Sequence, residues 1–233
     1  LSNEVKKIRH INDHHTTLVH TSLRQYVHRD LAYKFIIRLE YFSEKAHKND
    51  FYLEALNLLN SDFGNLTELP TLRDRIEDWN DQGFLDLFDK ISRIEIIESN
   101  DRTRGTEETH GKDVNYEFGN KSYIVVGGTR LSRGLTLEGL TNSWFTRIAM
   151  TEPKYDTMLQ MARWCGYRTG YEDLIRIFTS LEIREAFQVI TEAETDLRHR
   201  LIGLPENTDP LSIEPWIREH PGFSVTSEEK MVD

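Results

Sequence analysis

Hydrophobic residues recur along this chain with two periods, and the way the periods alternate predicts the fold class. TTLVHTS, residues 16 to 22, is a short β-branched run ending in polar residues and reads as a buried strand. Leu23, Val27, Leu31, Phe35, Leu39 and Phe42 then recur at near-helical spacing, so an amphipathic helix follows directly. Ser22, with Gln25 three residues later, is placed to start that helix as a capping box. A strand feeding a long helix is the opening of a βα unit.

Residues 50–92 carry helical stripes in ALNLLN and GFLDLFDKIS, separated by turn signals at Asn65 and Pro70, which predicts a helical insertion. RIEIIES, 93–99, is the next strand. DRTRGTEETHGKDVNYEFGNK is nearly devoid of apolar residues and predicts a long mobile loop. YIVVGG, stopped by paired glycines, predicts a strand buried on both faces. NSWFTRIAM is a further strand, with Trp144 and Phe145 packing the sheet, and TEPKYD opens a helix after it. IRIFTS is the last strand. Thr179 with Glu182 is expected to cap the final helix, whose stripe runs Ile183, Ala186, Phe187, Ile190, Ala193, Leu197, Leu201 to a stop at Gly203 and Pro205. The alternation predicts an α/β fold with a mostly parallel sheet covered by helices. The expected organisation is a linker over 1–13, one lobe over 14–203 with the helical insertion at 50–92, and a C-terminal arm over 204–233.

Composition narrows the class. Hydrophobic residues make up 38% and charged residues 29% of the 233, enough for a buried core and too apolar for wholesale disorder. No run reaches the roughly 20 apolar residues of a membrane span, and LSNEVKKIRH has no secretory apolar region. The single cysteine, Cys165, forms no internal disulfide, which fits a cytoplasmic setting. A net charge of −10 argues against general nucleic-acid binding, yet between Lys121 and Arg176 eight basic residues face five acids. An acidic chain has gathered its positive charge in one stretch.

Two segments inside that stretch could carry chemistry. In DTMLQMARWC, Met158, Met161, Ala162 and Cys165 share one helix face, while Gln160 and Arg163 project from the other. Gly166 breaks the helix, and the turn after it can bring Arg168 back toward Arg163. Two guanidiniums then converge on one anionic group, for which their planar, permanently charged forks are suited. The plainer alternative pairs both arginines with Glu172 and Asp173. The other segment, GGTRLSRGLTLEGL, offers backbone amides, Arg130 and Arg133 to phosphate oxygens. Both segments are expected at or after the carboxyl ends of strands, where parallel sheets bind ligands. No G-x-x-x-x-G-K followed by Ser or Thr occurs, so this chain alone is not expected to hydrolyse a nucleoside triphosphate.

The turn Arg133-Gly134-Leu135-Thr136 and the helix Gln160-Met161-Ala162-Arg163 with Gly166-Tyr167-Arg168 resemble the R-G-[LI]-D and Q-x-x-G-R-x-x-R motifs of the second RecA-like lobe of superfamily-two helicases. VVGGTRLSRGLTLEGL and DTMLQMARWCGYRTGYEDL together look most like the Z-one domain, a family labelled endonuclease and found with helicase lobes. The resemblance is sharp over residues 121 to 180. Thr136 stands where the helicase motif has aspartate, Ala162 where it has glycine, and the arginines are five apart rather than three. The resemblance implies a first RecA-like lobe of the same protein that holds ATP and Mg²⁺. Arg163 and Arg168 would act on the γ-phosphate, with Gln160, Gly134 and Thr136 on the nucleotide side. Gly128, Thr129, Arg130, Ser132 and Arg133 would contact the backbone of DNA, in a setting of restriction or defence.

Metal-dependent cleavage by this chain itself needs a ligand set. His10, His14, His15 and His20 with Asp13 are dense, but a strand over 16–22 makes His15 and His20 diverge. Glu228-Glu229-Lys230 is an acid-x-Lys match in a polar tail. No metal site is therefore assigned. The alternatives to the ATPase lobe are an autonomous metal-dependent endonuclease and a non-catalytic phosphate- or protein-binding module. The ATPase reading expects Arg163, Arg168 and the Arg133 turn on one exposed edge, and the module expects a closed pocket around them.

Overall fold

Five strands form one parallel sheet: β1 (His15–His20), β2 (Ile94–Ser99), β3 (Ser122–Gly127), β4 (Leu140–Phe145) and β5 (Arg176–Thr179), in the spatial order β2-β3-β1-β4-β5. They belong to a computed structural model that describes residues 2–11, 14–22, 24–45, 49–78, 91–99, 114–117, 119–128, 136–146, 158, 160, 168–205 and 208. The register sets His15 and Ile94 opposite Ser122, and Val19 and Glu98 opposite Val126. Adjacent residues in the central strands are both sealed: Leu18 and Val19 are 0% and 3% exposed, Val125 and Val126 both 0%. Neighbours on a strand point to opposite faces, so both faces are covered, as a parallel sheet requires. The α/β class read from the sequence is the one observed.

By backbone contacts the chain divides into two compact units, residues 1–144 with 167–177 and residues 145–166 with 178–233. In the first unit, α1 (Ser2–Ile8) replaces the linker expected over 1–13. Val5 is fully buried with Leu59, Phe63, Leu72, Tyr171 and Leu174 in a satellite core. That core holds α3 (Asn49–Phe63) and α4 (Leu69–Asp78), which realise the helical insertion. Each fully buried leucine there contributes about 1.5–3 kcal/mol. α2 (Gln25–Lys45) packs on β2 and β3 with Val27, Leu31, Phe35, Leu39 and Phe42 half-buried along the predicted stripe. The capping box does not form as expected. Ser22 Oγ accepts from the Arg24 backbone N–H at 3.0 Å, a Ser turn rather than a bond to Gln25.

β4 starts at Leu140, two residues before the expected NSWFTRIAM, and Trp144 is 44% exposed instead of packed in the sheet. In the second unit Phe145 is buried and its ring lies 5.7 Å from that of Phe187 on α5 (Leu181–Ile202). The N-cap of α5 is Ser180, one residue beyond the expected Thr179, with its hydroxyl accepting from Ile183 N at 3.4 Å. Ile183, Ala186 and Ile190 are buried, and the stripe loosens until Leu201 is exposed. Among the described residues no helix is long and apolar enough to cross a membrane. The C-terminal arm lies outside the described residues except for Leu204, Pro205 and Thr208.

Candidate functional site

The order β2-β3-β1-β4-β5 creates a switch point in the first unit. The chain leaves β1 toward β2 and leaves β3 toward β4, so adjacent strands send their connections opposite ways. Ligands of open α/β sheets bind outside the carboxyl ends at such a point. Ser22, His28 and Gly128 meet there. His28 Nε2–H donates to the Ser22 carbonyl at 2.7 Å, and His28 is 1% exposed. Gly128 lies so close that an added Cβ would come within 3.2 Å of both His28 Cε1 and the Ser22 oxygen. Glycine is what lets the β3 exit approach the β1 exit here. Two hydroxyls at this end, Thr21 Oγ1 and Ser99 Oγ, are buried without a hydrogen-bond partner among the described residues, and Ser99 stands opposite Gly127 in register. Buried polar groups are nearly always bonded, so these two hydroxyls leave hydrogen-bonding capacity at this end of the sheet. With its Nε2–H committed to Ser22, His28 positions backbone rather than transferring protons.

The segment that leaves at Gly128 returns at the opposite end of the sheet. Thr136 is exposed there, Leu137 is buried, and Gly139 turns with φ +61° into β4. A Cβ on Gly139 would lie 1.8 Å from the His14 oxygen, which excludes any other residue without rearrangement. Lys6, 0% exposed, donates Nζ to the His14 carbonyl and to the Gly139 carbonyl at 3.4 Å. A buried ammonium is tolerated because two main-chain carbonyls accept from it, of which Gly139 also accepts from Thr16 N–H at 3.0 Å. Thr16 Oγ1 donates to the Glu138 carbonyl at 2.6 Å, so Tyr116, 2.8 Å away, is the donor to Thr16. Burial pushes the Tyr116 phenol up to about 12. His14 accepts from Lys121 N–H at Nδ1, its ring lies edge-on to Tyr116, and Nε2 faces Glu138 at 3.7 Å. Burial, with Lys6 adding to it, lowers His15 to about 3.

Arg168 opens a turn at this same amino end. Its carbonyl accepts from Tyr171 N, and the Tyr171 ring lies 5.6 Å from Lys6 Nζ. Burial raises the Tyr171 phenol against the opposing pull of the Arg168 charge. The acids beside Arg168 in sequence are engaged by other groups. Arg9 grips both oxygens of Asp173, at 2.7 and 2.8 Å, both oxygens of Glu68, at 2.6 and 3.1 Å, and the Gly170 carbonyl at 2.9 Å. Glu172 accepts from Gly170 N at 2.9 Å.

The structure thus places Thr136 and Arg168 at the amino end of the sheet and Gly128 at the carboxyl end, about 20 Å apart along six-residue strands. The edge expected to carry Arg163, Arg168 and the Arg133 turn is described only at Thr136 and Arg168, which share the amino end. On the second unit Met158 is 1% exposed and Gln160 is exposed, the two sides predicted for that helix. Thr129, Arg130, Ser132, Arg133, Gly134 and Arg163 lie outside the described residues. A cavity of about 470 Å³ between α2 and β2, floored by Ile36, Leu39, Ile94 and Ile96, includes none of the predicted site residues. Among the described residues no group of three or more His, Cys, Asp or Glu could hold a metal ion. Sequence reasoning missed His28, although it stands three before Leu31 in the buried stripe, and missed Lys6 and Arg9, which carry no local signal.

No curated protein and no solved structure matches the chain. A family model described as the Z1 domain matches residues 1–224. The chain, with its parallel sheet and its VVGGTRLSRGLTLEGL crossover, belongs to the Z1 domain family.

Proposed function

We propose that this chain forms the C-terminal RecA-like lobe of a helicase- or translocase-type ATPase acting on DNA. The observation that carries the reading is the polar carboxyl end of the sheet at the β1/β3 switch point. There Gly128 closes on Ser22 and His28, with the buried hydroxyls of Thr21 and Ser99 at the same sheet end. Backbone phosphate suits such a place, because it takes hydrogen bonds from hydroxyls and main-chain amides without regard to sequence. Gly128, Thr129, Arg130, Ser132 and Arg133 form the DNA-facing turn in this reading.

The nucleotide belongs to a first lobe outside this chain, where ATP with Mg²⁺ supplies the phosphoryl group. Arg163, with Arg168, binds and orients the γ-phosphate, and Gln160, Gly134 and Thr136 lie on the nucleotide side. Guanidinium suits this role because it remains charged and presents a planar fork. The separation of Gly128 from Arg168 supports a division of labour. One segment, 127–140, runs from the DNA-facing end to Gly139, and Lys6 links Gly139 to the Tyr171 turn that Arg168 opens. The setting proposed is restriction or defence against foreign DNA.

The test is DNA-stimulated ATP hydrolysis by the protein that carries both lobes. Arg163→Ala is expected to lower kcat by about 10³-fold or more, as for other arginine fingers. Hydrolysis that survives the substitution sinks the proposal.

A further inference from the structure

α2 carries a second face that the fold does not use. Tyr26, Tyr33, Ile37 and Tyr41 are 65%, 62%, 46% and 38% exposed. At 100° per residue they fall within one sector of about 80°, along roughly 23 Å of helix. Cations alternate with them: Arg24, Arg29, Lys34 and Arg38, against the two acids Asp30 and Glu40 between Arg24 and Tyr41. The guanidinium of Arg38 stacks 4.9 Å from the Tyr41 centroid and 4.7 Å from that of Phe42. Arg24 donates to the Tyr26 hydroxyl at 3.1 Å. In a chain of net charge −10, a stretch from Arg24 to Tyr41 of net charge +2 studded with tyrosines is a local reversal of character.

We infer that this face of α2 binds single-stranded nucleic acid. Exposed rings supply stacking surfaces for bases, and interleaved cations follow the phosphates; together these are the two components of sequence-tolerant single-strand binding. Protein interfaces favour tyrosine and arginine too, but their centres are depleted of lysine and of charge generally. Here cations flank the rings along the whole face. The inference rests on the DNA-directed part of the proposed function and adds a contact surface on a helix that none of the sequence motifs includes.

Anisotropy of a fluorescein-labelled oligo-dT of about twenty nucleotides tests it on the intact chain. Tyr26→Ala combined with Tyr33→Ala should weaken binding about tenfold, and alanine at these exposed helical positions preserves the fold. Asp30→Asn releases Lys34, with which Asp30 pairs at 2.7 Å, and should tighten binding several-fold. Arg29→Gln should reduce the slope of log affinity against log salt by about one. Affinities within twofold of wild type for all three, or no binding by wild type, overturn the inference and leave this face to a protein partner. The affinity is read without ATP or a first lobe, so failure of the ATPase reading and failure of the α2 inference are separable.

Discussion

Replacing Arg9 by methionine tests how the amino-terminal helix is held. The guanidinium makes five contacts of 2.6 to 3.1 Å to Glu68, Asp173 and the Gly170 carbonyl. The pair with Glu68 is the stronger, because the two side chains are only 20% and 14% exposed. Charge-assisted, bidentate and partly desolvated, it stabilises by about 2 kcal/mol. Asp173 is 47% exposed, so solvent screening keeps its share below about 1 kcal/mol. A loss of about 2–3 kcal/mol follows, or a fall in Tm of about 5–10 °C for a chain of this size. Calorimetry measures it, and a cycle with Glu68→Gln isolates the pair. A coupling below about 0.5 kcal/mol refutes the reasoning. The pH dependence supplies a second check. Hydrogen bonds from Arg9 hold the Glu68 and Asp173 carboxyls below their ordinary values. Their contribution is therefore full above the unfolded values, about 4, and is lost as pH falls through the depressed folded ones. Arg9→Met should flatten that acid limb.

Gly139→Ala should lower stability by about 3 kcal/mol or more, since both the positive φ and the 1.8 Å approach to the His14 oxygen oppose it. A Tm within 3 °C of wild type contradicts this. His15 should remain neutral until about pH 3. The unfolded chain then binds the extra proton between roughly pH 6.5 and 3, so His15 erodes stability as pH falls through that window. An NMR titration of the His15 ring with a midpoint near 6.5 contradicts the placement. Ser180→Ala should remove about 1 kcal/mol from α5 by deleting its cap, whereas Thr179→Ala should not, and reversed effects in thermal melts would restore the sequence-based assignment.

What the sequence revealed divides by the range of the forces involved. β2, β3 and β5 were legible to within a residue and β1 to within two, because a buried parallel strand writes itself as a short β-branched run. The α5 stripe and the opposed sides of Met158 and Gln160 were legible for the same local reason. The cap shifted from Thr179 to Ser180 because adjacent hydroxyls compete and helix phase decides. β4 began early because the Gly139 turn, set by the distant His14 carbonyl, fixes its entry. Lys6 and Arg9 fall in the stretch read as a linker over 1–13. Their partners stand 133 residues away at Gly139 and 164 away at Asp173, beyond any local pattern. The candidate site was legible as motifs but not as geometry. Nothing in GGTRLSRGLTLEGL says that its two ends lie at opposite ends of the sheet.

The most direct measurement is ATP hydrolysis by this chain mixed with the first lobe of its protein, with and without DNA. The account predicts hydrolysis only in the mixture, stimulated by DNA and abolished by Arg163→Ala. A silent mixture, or DNA cut by this chain alone in the presence of Mg²⁺, would contradict it and make the chain a self-contained module.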